Sequence, residues 1–252
     1  MNILFTIRYF SPFIGGTEKQ ALALAAQLVT KGVAVTIVTS RFERTWARHE
    51  LIDGVQVVRL FSPRIKVVGA LIFLACLVGY LIRHRSQYAL IHTLQIGYTS
   101  TISIITGAFL SKPSLLKLAS SGRGGDIQRA RRTLWGRVFL FMAKKASRIV
   151  MVSTTVKQEL MAESVNPEKL CPISNGVVLN SCNSSAAKSQ ARKVLKLPER
   201  KTVIYTGRLS PEKGVDFLVR SFSQVNQSLN GQLIVIADGP EKKSIMRSID
   251  QY

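Results

Sequence analysis

The stretch Val203-Ile204-Tyr205-Thr206-Gly207-Arg208-Leu209-Ser210-Pro211-Glu212-Lys213-Gly214-Val215-Asp216 sets the frame for the whole chain. Its first residues are β-branched and apolar, and the run breaks at Gly207. Arg208, Pro211 and Lys213 follow, before Gly214 opens a helical pattern. This order predicts a buried strand, a loop with two fixed cations and then a helix N-terminus. The free N–H groups at the start of a helix, with cations beside them, favour an anion such as phosphate. An ordinary strand-to-helix connection with solvated charges has the same outline, so the loop alone does not choose between the two.

The stretch belongs to a βαβ unit. A strand over Lys201–Thr206 leads to a helix over Val215–Leu229, with Phe217, Leu218, Phe222 and Val225 on one face. A strand over Gln232–Ala237 and the turn Asp238-Gly239-Pro240 follow. The chain opens on a similar unit. Asn2–Ile7 reads as a short buried strand, and a loop from Arg8 ends at Gly15-Gly16. Thr17 and Gln20 fit a capping box, and Glu18 sits favourably in the first turn. Ala21, Leu24, Ala25 and Leu28 recur at helical spacing before a strand over Val33–Thr39. Two such units predict an α/β fold with parallel sheets. Gly15-Gly16 lacks the further glycines of a dinucleotide fingerprint and has no Walker-type lysine. A tight turn needing positive φ and a backbone that admits a ligand both remain open.

Between the units, Val55–Phe61 reads as a strand, and Val67–Ile82 is sixteen residues without a charge. Arg64, Lys66, Arg83 and Arg85 flank that run. A spanning helix wants about 20 apolar residues. The expectation is therefore a helix that is buried or rests on a membrane surface. Tyr88–His92 is a strand that puts His92 at its end, where α/β folds gather ligand groups; a locally satisfied histidine fits as well. A helix around Tyr98–Leu110 and a strand over Ser114–Ala119 lead to Ser120-Ser121-Gly122-Arg123-Gly124-Gly125-Asp126, a second glycine-rich turn. Arg129, Arg131, Arg132, Arg137, Lys144 and Lys145 then accompany a helix whose expected apolar face is Trp135, Val138, Phe139, Phe141 and Met142; a solvated basic face and a basic surface leaning on lipid both fit. A strand over Ser147–Val152, a helix over Thr154–Ala162 and a strand over Leu170–Ile173 point into Ser174-Asn175-Gly176-Val177. The composition then turns small, polar and lysine-rich up to Arg200. The expected organisation is a domain over residues 1–178, a linker over 179–200 and a second domain over 201–252.

The net charge is +21, and residues 1–150 carry 21 Lys/Arg against 5 Asp/Glu. This bias asks for an anionic partner. Basic residues interleaved with aromatics, or a known nucleic-acid module, would point to RNA or DNA; neither is seen, so an anionic membrane surface is the better expectation. Three cysteines and three scattered histidines have no metal-ligand spacing, and the N-terminal segment does not read as a signal peptide.

Taken in order, Gly15-Gly16-Thr17-Glu18, Val152-Ser153, Asn175-Gly176-Val177, the Arg208–Gly214 element and Asp238-Gly239-Pro240 resemble the retaining, nucleotide-sugar-dependent glycosyltransferases of family 4. The resemblance implies a GT-B fold, with one complete Rossmann-like acceptor-side domain followed by an incomplete donor-binding one. It implies that Arg208 and Lys213 grip the donor diphosphate, that Gly15 and Gly16 approach it through their backbone, and that Asn175, Gly176, Asp238 and Gly239 form donor-side loops. Asp126 and His92 are the candidates for a catalytic role. No metal and no cofactor beyond the nucleotide-sugar donor are implied. The acceptor would be a lipid-linked or polysaccharide glycan, met by a cytoplasmic enzyme peripheral to the inner membrane face. Val178, Ala237 and Ser120-Ser121-Gly122 depart from residues common in the family, and the later glutamate pair is absent. The expectation is a C-terminally truncated enzyme, weakly active or inactive in this form. The alternative is a non-catalytic, membrane- or partner-associated remnant.

Overall fold

A computed structural model describes residues 2–13, 15–122, 124–177 and 185–251. They fall into two compact units, Met1–Val177 and Val178–Tyr252. In the first, β1 (Asn2–Thr6) leads through α1 (Gly16–Thr30) to β2 (Ala34–Arg41), β3 (His49–Ile52) and β4 (Val55–Phe61). Next come α2 (Lys66–Arg83), β5 (Leu90–Leu94), α3 (Tyr98–Phe109), β6 (Ser114–Leu118), α4 (Asp126–Arg131) and α5 (Leu134–Ala143). The unit ends with β7 (Arg148–Met151), α6 (Thr154–Ala162) and β8 (Leu170–Pro172). Eight strands form one sheet in the order β3-β4-β2-β1-β5-β6-β7-β8. All pairs are parallel except β3 with β4. The expected α/β parallel-sheet class is the one observed. The short antiparallel β3 was not expected, because its half-polar sequence His49-Glu50-Leu51-Ile52 has little apolar pattern to show.

Buried on both faces, the parallel strands need helices on both faces. Phe5, Val35, Ile37, Val55 and Val57 pack against Ala21 and Ala25 of α1, whose small side chains let the helix lie close. Leu4, Val38, Val58 and Ile91 pack against Phe73, Leu77 and Leu81 of α2, a stripe four residues apart. Leu116, Leu118, Ile149 and Met151 join Ile104 of α3, Leu140 of α5 and Leu160 of α6. Among the described residues α2 is the one helix long and apolar enough to cross a membrane, but its stripe is built into this core. Gly69 is required at its start, since a Cβ there would lie 2.0 Å from the Pro63 carbonyl oxygen.

The second unit holds α7 (Ser185–Val194), β9 (Thr202–Arg208), α8 (Val215–Leu229), β10 (Gln232–Asp238) and α9 (Lys242–Asp250). β9 and β10 pair in parallel over their whole length, so the strand does not break at Gly207 but carries it and Arg208 opposite Ala237 and Asp238. Leu209, Val215, Val219 and Ile245 make the core. Of the face expected on α8, Phe217 and Val225 are instead exposed, and the buried positions are Val215 and Val219.

Three further expectations are corrected. Thr17 does not cap α1: the N-cap is Gly15, and the Thr17 hydroxyl instead accepts from the Gln95 amide at 3.0 Å. The helix expected after Arg129 is two, because Thr133 caps a new start by accepting from Gly136 N–H. Its buried residues are Gly136, Leu140 and Ala143, not the bulky side chains named above. His92 lies mid-strand, because β5 continues to Leu94, and it is 4% exposed.

His92 has its ring centroid 4.4 Å from that of Phe5, and its Nε2 is buried with no partner. Burial, with repulsion from the buried Lys117, pushes its pKa down from 6.5 to about 4. The native histidine is therefore neutral over a range in which the unfolded one takes a proton. Its contribution to stability is fully present above about pH 6.5 and is lost as the pH falls toward 4. Chemical denaturation should show wild type losing about 2 kcal/mol between pH 7 and 5 through this group. His92→Leu should flatten that slope; an unchanged slope in the variant would refute the assignment.

Candidate functional site

The sheet order turns between β1 and β5. β2 and β4 lie to one side of β1, and β6 and β7 lie beyond β5. α1 packs on one face through Phe5 and Ile37, while α3 reaches the opposite face, where Ser103 bonds the Thr6 hydroxyl at 2.9 Å. A crevice therefore opens at the carboxyl ends of β1 and β5, the switch point where open α/β sheets hold ligands. Its cavity is about 160 Å³, lined by Arg8, Glu18, Gln95, Gly97, Tyr98 and their neighbours. A second cavity of about 280 Å³ shares Gln95–Tyr98 and continues along Arg129, Thr133 and Phe139.

The N-terminus of α1 forms one lip. Gly15 is extended, and the Glu18 carboxylate folds back so that a Cβ on Gly15 would stand 2.1 Å from Oε2. Gly16 faces open space, with nothing within 4 Å of a Cβ. The Gln20 amide donates to the Gly176 carbonyl at 3.1 Å, so the Asn175-Gly176 turn is tied to the second turn of α1. Gly15, Gly16 and Gly176 are thus brought to one place, with Asn175 exposed beside them.

Two candidates leave the crevice. His92 is sealed in the core against Phe5. Asp126 is also buried: Oδ2 accepts from Ala119 N–H at 3.3 Å and Oδ1 pairs with Arg129 at 3.1 Å. Its carboxylate joins the end of β6 to the start of α4, a structural task. Asp126, although buried, still borders the 280 Å³ cavity beside Gln95–Tyr98, whereas His92 faces the core. Arg123 lies outside the described residues.

Arg8 is the residue that sequence reasoning passed over. It follows the first strand directly, which was the available signal. Its guanidinium donates to the Tyr98 hydroxyl and lies 5.2–5.7 Å from the ring centroids of Tyr9, Phe42 and Tyr98. Its Nε is buried with no partner. Burial raises the Tyr98 phenol pKa, and the Arg8 bond and charge offset part of that rise.

In the second unit the loops after β9 and β10 are laced together. Leu209 N–H donates to the Asp238 carbonyl at 2.9 Å, and Glu241 N–H donates to the Leu209 carbonyl at 3.2 Å. Gly239, with φ 154, lets the second loop pass: a Cβ there would meet the Leu209 oxygen at 2.3 Å. Gly214 sits left-handed at φ 61 as the N-cap of α8, with no side chain closing the helix end. Arg208 and Lys213 are exposed on either side of Glu212. That carboxyl is held below the usual range, first by the Ser210 hydroxyl donating at 2.7 Å and also by the fields of Arg208 and Lys213. Neither cation is matched with a carboxylate ion pair among the described residues, and Asp238 pairs with Lys242 at 3.6 Å. Two exposed cations near an open helix start are features that suit an anion.

Residues 14–181 match the model of Glycosyltransferase Family 4, and residues 186–252 match that of the glycosyl transferases group 1. The chain is 24% identical over 262 residues to the phosphatidylinositol N-acetylglucosaminyltransferase GPI3 subunit of Saccharomyces cerevisiae (strain YJM789). It is covered entirely by that alignment and spans 56% of the yeast protein. Anabaena HepE, solved with UDP and glucose, superposes with a TM-score of 0.75 at 18% identity, covering 100% of this chain and 66% of HepE. Sucrose-phosphate synthase of Thermosynechococcus elongatus gives 0.68 at 21% identity, covering 93% and 61%. At such identities these structures speak to the fold alone, which is that of the GT-B glycosyltransferases. With two thirds of its length matched by the first model, the chain belongs to Glycosyltransferase Family 4.

Proposed function

We propose that this glycosyltransferase moves a sugar, with retention, from a nucleotide-diphosphate sugar to a lipid-linked or polysaccharide acceptor. The observation that carries this is the pair Arg208 and Lys213, exposed and without ion-pair partners at the open start of α8. In such a reaction the bond from the anomeric carbon to the phosphate oxygen breaks, and its electron pair stays on the diphosphate. The acceptor oxygen bonds the anomeric carbon on the same face, and its proton passes to the departing phosphate. Two placed cations stabilise the diphosphate more as it leaves than before. They need no metal ion for this, and no cofactor beyond the donor is invoked. On the first unit, Gly16 offers backbone N–H groups at the start of α1 with Asn175 and Gly176 beside it; on the second, Asp238 and Gly239 lie beside the Arg208 loop. With Asp126 and His92 buried, no protein nucleophile is assigned.

The yeast relative's name, a phosphatidylinositol N-acetylglucosaminyltransferase subunit, supports an acceptor presented on a lipid. The basic balance of residues 1–150 supports work at an anionic membrane, as a cytoplasmic protein on its inner face. A second reading, a non-catalytic relative that keeps the fold, is favoured by the inward turn of His92. Sugar transfer by this chain would dismiss it.

Calorimetric titration with UDP and GDP should show binding of one of them, weakened about 10- to 100-fold by Arg208→Ala, the loss expected for one charge-assisted contact. Equal affinity in the variant, or no binding of either nucleotide, would refute the donor site. Gly16→Val should keep the melting temperature within about 2 °C, because the space is open. It should nonetheless reduce nucleotide affinity at least tenfold if the donor approaches that backbone; retained affinity would remove Gly16 from the site.

A further inference from the structure

α5 has two apolar faces. Gly136, Leu140 and Ala143 are buried against the core. On the opposite side Leu134, Trp135, Val138 and Phe141 point outward, with Trp135 72% and Leu134 81% exposed. At 100° per residue these four fall within an arc of about 120°, centred away from the buried one. α3 packs beside α5, joined by the edge-to-face contact of Tyr98 and Phe139, and exposes Ile105 and Phe109, the latter 82%. Single exposed apolar residues need no explanation, but a row of large ones on one helix does.

Charge says what covers the row. Residues 127–145 contain six Arg/Lys and no Asp or Glu. Arg137 and Lys145 flank the outward arc, and Lys145 lies over the Phe141 ring at 5.3 Å. At its edge a cavity of about 390 Å³ is lined by Arg131, Arg137, Lys144, Leu140, Phe141 and Glu163. Three cations there face one carboxylate. Burial raises the Glu163 pKa, but hydrogen bonds and charge from Arg131 and Lys144 outweigh this and hold it below the usual range. Nucleic acid would answer the cations and leave the apolar row wet. An anionic bilayer satisfies both at once, taking Trp, Leu and Phe at the headgroup boundary and phosphate on the cations.

We propose that the outward face of α5, with Ile105 and Phe109 of α3, is the surface by which this chain docks on an anionic membrane. Arg131, Arg137 and Lys144 receive a lipid phosphate. This deepens the membrane-side reading given above and rests on it. It also has a consequence for the reaction. Thr133, Gly136 and Phe139 of the same segment line the 280 Å³ cavity that shares Gln95–Tyr98 with the switch-point crevice. Docking therefore sets a path for a lipid-linked acceptor from the bilayer surface to the crevice.

The test is co-sedimentation of the full chain with vesicles of phosphatidylcholine alone and of phosphatidylcholine with 30% phosphatidylglycerol. Wild type should bind the anionic vesicles at least tenfold more tightly. Trp135→Ser/Phe141→Ser and, separately, Arg137→Glu/Lys145→Glu should each lose at least tenfold, with circular dichroism and UDP or GDP affinity unchanged. Leu71→Ser on the exposed flank of α2 should bind like wild type. Absence of vesicle binding, loss with Leu71→Ser but not with the α5 variants, or a dimer that Trp135→Ser/Phe141→Ser dissolves would each overturn the proposal. Because nucleotide affinity is read separately, failure here is distinct from failure of the donor site.

Discussion

The arrangement depends on a rule of parallel sheets, that crossover helices must lie on the faces and cannot cover the strand ends. Where the order turns, between β1 and β5, the chain leaves in opposite directions, and α1 and α3 begin on opposite faces. Two helix starts with free N–H groups therefore look onto the same gap. The ground beneath it is polar. Thr6 and Ser103 satisfy each other, whereas the hydroxyls of Thr93 and Thr101 are buried without a partner. Such unpaired groups cost stability, about 1–3 kcal/mol each.

The second unit repeats the logic with different means. Its loops after β9 and β10 are fixed by backbone bonds between Leu209, Asp238 and Glu241, and Gly239 is the residue that permits their approach. That leaves Arg208 and Lys213 without a carboxylate ion pair among the described residues, though their fields act on Glu212 between them. A cation already paired with a carboxylate would have to break that pair before gripping a phosphate. Exposed cations of this kind are what the proposed diphosphate grip requires.

Most of the sheet was legible in the chain because apolar β-branched runs bounded by glycine turns specify buried parallel strands. The strands around Phe5, Ile37, Val57 and Leu116 lie where their patterns placed them. What was hidden depended on pairing and on three-dimensional neighbours. β3 exists because β4 offers it an edge, and His49-Glu50-Leu51-Ile52 has no pattern of its own. His92 looked like a strand end because Thr93 and Leu94 resemble the start of a loop, yet β6 pairs them into the sheet. Asp126 sits in a glycine-rich turn after a strand and borders the 280 Å³ cavity, and only the Ala119 amide and Arg129 reveal the structural bonds it also makes. The helix starts after Gly15 and Gly214 could be read because glycine before an apolar helical pattern carries its meaning locally. Arg8 could not, since its meaning comes from Tyr98, ninety residues away.

The helical wheel of α5 resolves the last ambiguity, the basic, apolar segment after Asp126. A helix with one apolar face docks on its own sheet and is finished. α5 docks through its small residues, and Gly136 comes so close that a Cβ would lie 2.2 Å from the Ala130 oxygen. Its large residues are left over on the far side. Were they needed for folding, they would face inward, where Leu or Phe burial is worth about 2 kcal/mol per side chain. Facing outward they weaken solubility and contribute nothing to the core, unless something apolar receives them. The cations around them narrow that to a surface both apolar and anionic; α2 spends Phe73, Leu77 and Leu81 on the core and shows Val67, Val68 and Leu71 on its other flank, where its basic neighbours stand only at the ends.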